Sequence, residues 1–229
     1  MSLRAYPSID QAWQRLAEFL GDNFDERLTD PTNFESLVEA EFDKYGQEFY
    51  TSGTGYLYEL THFHYTPHKD AFFELVRGAA SRLDLRDVAD VGCGVGLDAQ
   101  VLQENGLRLA LYDFPSISRE YAKWRISRDS GGGGAVSDLD DLGKIRHDLV
   151  YAVDVLEHSD APLELLDRLF DAGRWVCFNV FPHETEQWDG KDMHFPQDHH
   201  ELLPFCSRRG DLYQVAGSGD TVAMLWRSR

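Results

Sequence analysis

The residue types best suited to chemistry are concentrated in one stretch, Asp90-Val91-Gly92-Cys93-Gly94-Val95-Gly96. It follows the apolar pair Val88-Ala89 and leads into a helical pattern over residues 97–103. An acid at a strand end, then glycines at every second position, makes a tight strand-to-helix turn. The missing Cβ atoms let a ligand lie almost on the backbone. The dinucleotide fingerprint G-x-G-x-x-G/A requires a third small residue where this chain has Leu97. Asp90, two residues before the first glycine, also suits a different ligand. It can accept hydrogen bonds at the bottom of the pocket, where a pyrophosphate would be repelled.

Three more acids stand at predicted strand ends. Asp113 closes residues 107–113, Asp138 follows Ala135-Val136-Ser137, and Asp154 closes residues 149–154, which run on into Val155-Leu156-Glu157-His158. Singly, each reads as turn chemistry; four in order behind a glycine loop are a pattern. The pattern resembles the class I S-adenosyl-L-methionine (SAM)-dependent methyltransferases, with Asp90 to Gly96 as motif I and D-V-L-E-H as a frequent family variant. The resemblance covers about residues 70–229. It implies SAM as cofactor, bound by Asp90, Gly92, Cys93, Gly94 and Gly96 of the loop. It also implies Asp113 and Phe114 at the ribose, Asp138 and Leu139 at the adenine, and Asp154 and Val155 where cofactor and acceptor meet.

Such residues need a parallel sheet with crossover helices to hold them. From Asp87 onward strands and helices alternate. A helix over residues 161–172 precedes a fifth strand over 174–181, and residues 198–206 form a short helix. Two β-rich runs, 212–216 and 221–226, flank Gly217-Ser218-Gly219-Asp220 as a hairpin. The expected fold is α/β: a Rossmann-like seven-stranded methyltransferase sheet with a terminal antiparallel hairpin, preceded by a helical amino-terminal lid. Residues 1–80 would be the lid and acceptor-binding region, and residues 81–229 the SAM-binding core.

The amino-terminal part carries helix-start signals. Ser8 with Gln11 is a capping-box pattern before Ala12, Trp13, Leu16, Phe19 and Leu20, and Thr32 with Glu35 repeats it before Phe34, Leu37 and Val38. Thr66-Pro67 supplies an N-cap and a proline at the first helical position. Residues 50–65 are glycine-punctuated and crowded with aromatics; related enzymes fold this segment over the cofactor. Residues 129–134, DSGGGG, read as a flexible loop, and residues 182–198 as a long polar connection.

Composition narrows the partners. A chain of 229 residues accommodates one domain with an appendage. No apolar run approaches a membrane span and no basic segment precedes an apolar one, so no membrane contact and a cytoplasmic location are expected. Cys93, Cys177 and Cys206 are isolated and lack any C-x-x-C pair, which argues against a disulfide framework or a zinc knuckle. A net charge of −18 repels phosphate backbones, and no basic stripe offsets it, so nucleic acid is not an expected partner. A homodimer is compatible with the resemblance.

Methyl transfer is an in-line displacement at a sulfonium carbon. The protein must align two reactants and, for an O- or N-acceptor, remove a proton. His62, His64, His158, His183, His194, His199 and His200 are candidate bases, though the default role of any one is structural. His158 is best placed, directly after the fourth strand; His62 and His64 follow, in the aromatic segment. Asp154, Glu157, His158 and His194 are also a mixed set of the sort that holds a divalent cation, but their spacing is loose and metal-free transfer is the default. The expected function is methylation of a small, partly apolar metabolite at O, N or C. The alternatives are a protein or tRNA methyltransferase and a SAM-binding module without turnover.

Overall fold

Runs of Val, Leu and Ala apolar on both faces build the parallel centre of the sheet. In chain order the strands are β1 (Asp87–Val91), β2 (Arg108–Asp113), β3 (Val136–Asp138), β4 (His147–Ala152), β5 (Gly173–Val180), β6 (Gly210–Ser218) and β7 (Thr221–Ser228). The computed structural model describes residues 7–46, 48–128, 135–181, 195, 198–218 and 221–229. Its sheet has the order β3-β2-β1-β4-β5-β7-β6. The first five strands pair in parallel, and β7 inserts antiparallel between β5 and β6. This is the expected seven-stranded fold with its terminal hairpin.

The helices are α1 (Ile9–Leu20), α2 (Pro31–Tyr45), α3 (Glu48–Ser52), α4 (Thr54–Phe63), α5 (Pro67–Arg82), α6 (Leu97–Glu104), α7 (Ile117–Arg128), α8 (Pro162–Ala172) and α9 (His199–Arg209). Strand side chains alternate between faces, so the sheet has two cores. Val88, Leu109, Leu149 and Cys177 pack with Phe72 and Val76 of α5 and with Ala99 and Leu102 of α6. Ala89, Val150, Val176 and Met224 pack with Leu166 and Leu169 of α8 and with Leu202 of α9. A third core joins Leu16, Phe49, Leu57 and Tyr58 of the amino-terminal helices to Val95, Leu97 and Tyr121. The amino-terminal helices are therefore fastened onto the glycine turn and α7. No described helix is long and apolar enough to cross a membrane.

Several local expectations shift. The Ser8–Gln11 capping box is present. The Thr32–Glu35 box is not: Asp30 caps α2 by accepting the Thr32 N–H at 2.9 Å, because Pro31 already occupies the first turn. Thr66 stands at the N-cap of α5, but its hydroxyl donates to the Phe63 carbonyl at 2.7 Å. Residues 50–65 are largely helical, as α3 and α4, with Gly53 at the break between them. Asp90 lies inside β1, and Asp154 lies two residues beyond β4. The loop at 129–134, residues 182–194 of the polar connection and the hairpin tip at 219–220 are outside the described residues.

Candidate active site

Strand order reverses at β1, which has β2 on one side and β4 on the other. Loops leaving neighbouring strands in opposite directions open a crevice at their carboxyl ends. Here that crevice is a cavity of about 360 Å³, floored by Asp90, Gly92, Cys93 and Gly94 and roofed by Tyr56, Leu60 and Phe63 of α4. Gly92 has φ +70°, and a Cβ there would run into the side chain of Val155. Gly94 has φ +51°, and its Cβ would lie 3.0 Å from Leu60 Cδ1. Only glycine lets the backbone pass between β4's exit and the lid.

Asp113 is bound into this turn. Its Oδ2 accepts the Gly94 N–H at 2.8 Å and its Oδ1 accepts the Phe114 N–H at 2.8 Å. Burial nevertheless pushes its pKa up to about 6, against the pull of those two N–H groups and Arg119. A carboxylate offers roughly four acceptor sites. Apart from the weak donation of the Cys93 thiol to Oδ2 at 3.8 Å, two therefore remain for a ligand with paired hydroxyls. Asp90 is buried as well, and burial with the nearby Asp98 pushes it up to about 7, opposed by Lys69 and the Tyr151 hydroxyl.

A buried ionic triad forms another wall. Asp98 in the first turn of α6 takes Lys69 Nζ at 2.8 Å on one oxygen and His64 Nδ1 at 3.2 Å on the other. Burial alone would raise Asp98, but Lys69 and His64 outweigh it and hold the carboxyl well below its usual range. His64 is shifted down by burial despite Asp98. Burial pulls Lys69 down, yet Asp98, Asp154 and Asp90 leave it raised. All three residues line the cavity. None was assigned to the cofactor from sequence, although Lys69 carried a signal: it precedes Phe72 and Val76 on one helical stripe, so a cation was due on a buried face.

Opposite the glycine turn, Tyr56, Glu59, Glu157, His158 and Phe181 line the far wall. Tyr50 stands behind them, its ring 5.0 Å from Tyr56 and 5.2 Å from His158. Burial pushes Glu59 up to about 7. Glu157 is fully buried. Asp154 enters with φ +53°; its N–H donates to Asn179 Oδ1 at 2.7 Å, and the Asn179 amide donates back to its carboxylate.

Of the residues singled out from sequence, Asp90, Gly92, Cys93, Gly94, Asp113, Phe114, Leu139, Asp154, Val155 and His158 line the cavity. Gly96, Asp138 and His62 are not among the lining residues. Gly96 is the left-handed residue that opens α6. Asp138 is engaged by Arg119 at 2.8 Å and by the Asp140 N–H at 3.1 Å. His62 bonds the Leu28 carbonyl at 2.9 Å and packs against Trp13 and Phe34. Helical phase explains the difference. Positions 56, 59, 60 and 63 of α4 share the cavity face, while 58 and 62 share the face buried on Trp13. His199 bonds the Phe181 carbonyl at 3.0 Å; His183 and His194 are outside the described residues. Among the described residues no group of three or more His, Cys, Asp or Glu side chains is arranged to hold a metal ion.

Residues 61–214 match the family model described as a methyltransferase domain. Magnesium protoporphyrin IX methyltransferase from Synechocystis PCC 6803, solved with S-adenosylhomocysteine, superposes with a TM-score of 0.60 at 14% identity, over 85% of this chain and 100% of that one. A SAM-dependent methyltransferase from Clostridium acetobutylicum ATCC 824 gives 0.60 at 10% identity, over 74% and 98%. An O-methyltransferase family protein from Burkholderia thailandensis gives 0.56 at 16% identity, over 85% and 70%. These likenesses are of fold. No curated protein sequence matches this one.

Proposed function

Because this chain belongs to the methyltransferase-domain family and takes its methyl group from SAM, we propose that it methylates a small, partly apolar metabolite. One observation carries the reading: the glycine turn and its acids open into a cavity of about 360 Å³ closed by lid aromatics, within the size range of small-ligand sites. The magnesium protoporphyrin IX methyltransferase of like fold points the same way. The −18 charge is unfavourable to a polyanionic substrate.

In this reading the two remaining acceptor sites on Asp113 take the ribose hydroxyls, and the backbone of Gly92, Cys93 and Gly94 approaches the methionine part. Phe114 and Leu139 flank the adenine, with Asp138 acting on that pocket through Arg119. Asp90 and Asp154 face the cationic groups of the cofactor. Lys69, held by Asp98, pairs with its carboxylate. Residues 1–80 serve as the lid, whose Tyr56, Leu60 and Phe63 exclude water from the displacement, and His158 borders the acceptor. Transfer then relies on alignment, with the nucleophile held in line with the sulfonium carbon.

The test uses methyl-labelled SAM and a cell extract divided into metabolites, protein and RNA. Label is expected in the metabolite fraction alone. Label recovered in protein or RNA would return the macromolecular alternative.

A further inference from the structure

Among the described residues six carboxyl groups line the cavity, from Glu59, Asp90, Asp98, Asp113, Asp154 and Glu157, against one ammonium, Lys69, and the imidazoles of His64 and His158. Asp98 holds Lys69 and His64. Asp90 and Asp113 belong to the floor and the glycine turn, and Asp154 is tied to Asn179. Glu59 stands at the acceptor end, in the same wall as the fully buried Glu157. Both act electrostatically on Tyr50 of α3 and on Tyr56 of α4, and Asp113 acts on Tyr56 as well. Glu59 Oε2 is buried without a hydrogen-bond partner among the described residues. A buried acceptor in that state calls for a donor.

Two carboxyls in a wall of aromatic rings select by charge. A carboxylate or phosphate acceptor would be set beside like charge at low dielectric, whereas a cation gains ion pairing. Resting on the reading of the cavity given above, we propose that the acceptor is a small cationic amine and that Glu59 binds it and takes its proton. The ammonium passes one N–H proton to the Glu59 carboxylate. The freed lone pair forms the N–C bond to the methyl group as the C–S bond breaks, and that electron pair returns to sulfur. The products are the N-methylated ammonium and neutral S-adenosylhomocysteine, with the proton left on Glu59. A carboxyl pushed up to about 7 by burial suits the task, being partly ionised at neutrality and more basic than an exposed one.

The experiment titrates 2-phenylethylamine, 2-phenylethanol and 3-phenylpropionate into the protein saturated with S-adenosylhomocysteine. The three share one apolar arm and differ in charge. The amine should bind roughly 10-fold or more tighter than the alcohol, and the carboxylate weakest. Amine binding should tighten as pH rises through about 7, where Glu59 ionises. Glu59→Gln should cut the preference several-fold and remove the Glu59 limb of the pH dependence while holding S-adenosylhomocysteine affinity within about twofold, and Glu59→Asp should retain the preference. His158→Ala should keep the pH dependence, whatever its effect on affinity. An amine that binds no better than the alcohol overturns the proposal, as does a pH dependence that survives Glu59→Gln unchanged. A wild-type protein that does not bind S-adenosylhomocysteine would instead reject the cofactor assignment of the cavity.

Discussion

Replacing Asp113 with alanine tests the cofactor site at the residue where geometry says most. Asp113 is 3% exposed, and each of its oxygens holds a backbone N–H at 2.8 Å. Removing the carboxylate has two separable costs. In the free protein it strands the Gly94 and Phe114 N–H groups, at about 1–3 kcal/mol for each that stays buried and unpaired. In the complex it also removes the acceptor of the ribose hydroxyls, which are charge-assisted hydrogen bonds, at about 2–3 kcal/mol net for the pair. The second cost corresponds to a Kd for S-adenosylhomocysteine roughly 30- to 150-fold weaker. Asp113→Asn divides the two effects differently. Its single carbonyl can serve only one of the two N–H groups, so whichever way the amide turns, an NH2 faces a backbone donor.

The assay is calorimetric titration with S-adenosylhomocysteine beside urea unfolding of the free protein. Both substitutions should lower the urea midpoint, and Asp113→Ala should lose more affinity than Asp113→Asn. The pKa of Asp113 adds a control. Its folded value of about 6 means that the carboxyl becomes neutral as pH falls below 6, so wild-type affinity should weaken between pH 7 and 5. That limb should be shallower in Asp113→Ala; Asp90, at about 7, supplies what remains of it. A folded Asp113→Ala protein with wild-type affinity would remove Asp113 from the cofactor site, and the ribose assignment with it.

Gly92→Ala should destabilise the protein by about 1–2 kcal/mol for the left-handed backbone alone and abolish cofactor binding; adding Val155→Ala should recover the steric part, and no recovery would mean the collision is not with Val155. Lys69→Met should weaken S-adenosylhomocysteine by about 10-fold or more yet leave 5′-methylthioadenosine, which has no carboxylate, near its wild-type affinity. Equal weakening of both ligands would make Lys69 a structural partner of Asp98. Binding to duplex DNA or bulk RNA at physiological salt should be undetectable for a protein of charge −18, so a salt-dependent shift at micromolar protein would overturn the small-molecule reading.

The sheet and the residues of the glycine turn that line the cavity were legible because their determinants are local. A glycine whose Cβ would strike a neighbour and an acid that closes a strand are both written within a few residues of where they act. Asp113 illustrates this, since the groups it holds, Gly94 and Phe114, come from the turn and the strand end already recognised. Asp138 shows the limit. It ends β3 as expected, but Arg119 from α7 takes its carboxylate, and no spacing announces that partner. The acceptor end was least legible. Gly53 and Gly55 made residues 50–65 read as irregular, so the phase of α4 was lost, and with it the distinction between His62 on the lid core and Glu59 on the cavity.

The phase of α4 ties the amino-terminal helices to the glycine turn. Val95 and Leu97 put their side chains into the amino-terminal core with Leu57 and Tyr58, while Cys93 and Gly94, two and one residues before Val95, face the cavity. Helix α4 does the same in reverse, burying Leu57 and Tyr58 while Tyr56, Leu60 and Phe63 line the ligand space. Each segment thus has one face in the lid core and one in the site. A substitution that loosens the lid core must also loosen the glycine turn. Leu57 is fully buried in the cluster that packs the two together. Its replacement by alanine creates a cavity worth about 2–5 kcal/mol of packing. If the displaced elements carry both the cofactor's backbone contacts and the acceptor wall, as proposed, cofactor and acceptor affinity should fall together in that variant, whereas Asp113→Ala should act on the cofactor and Glu59→Gln on the acceptor.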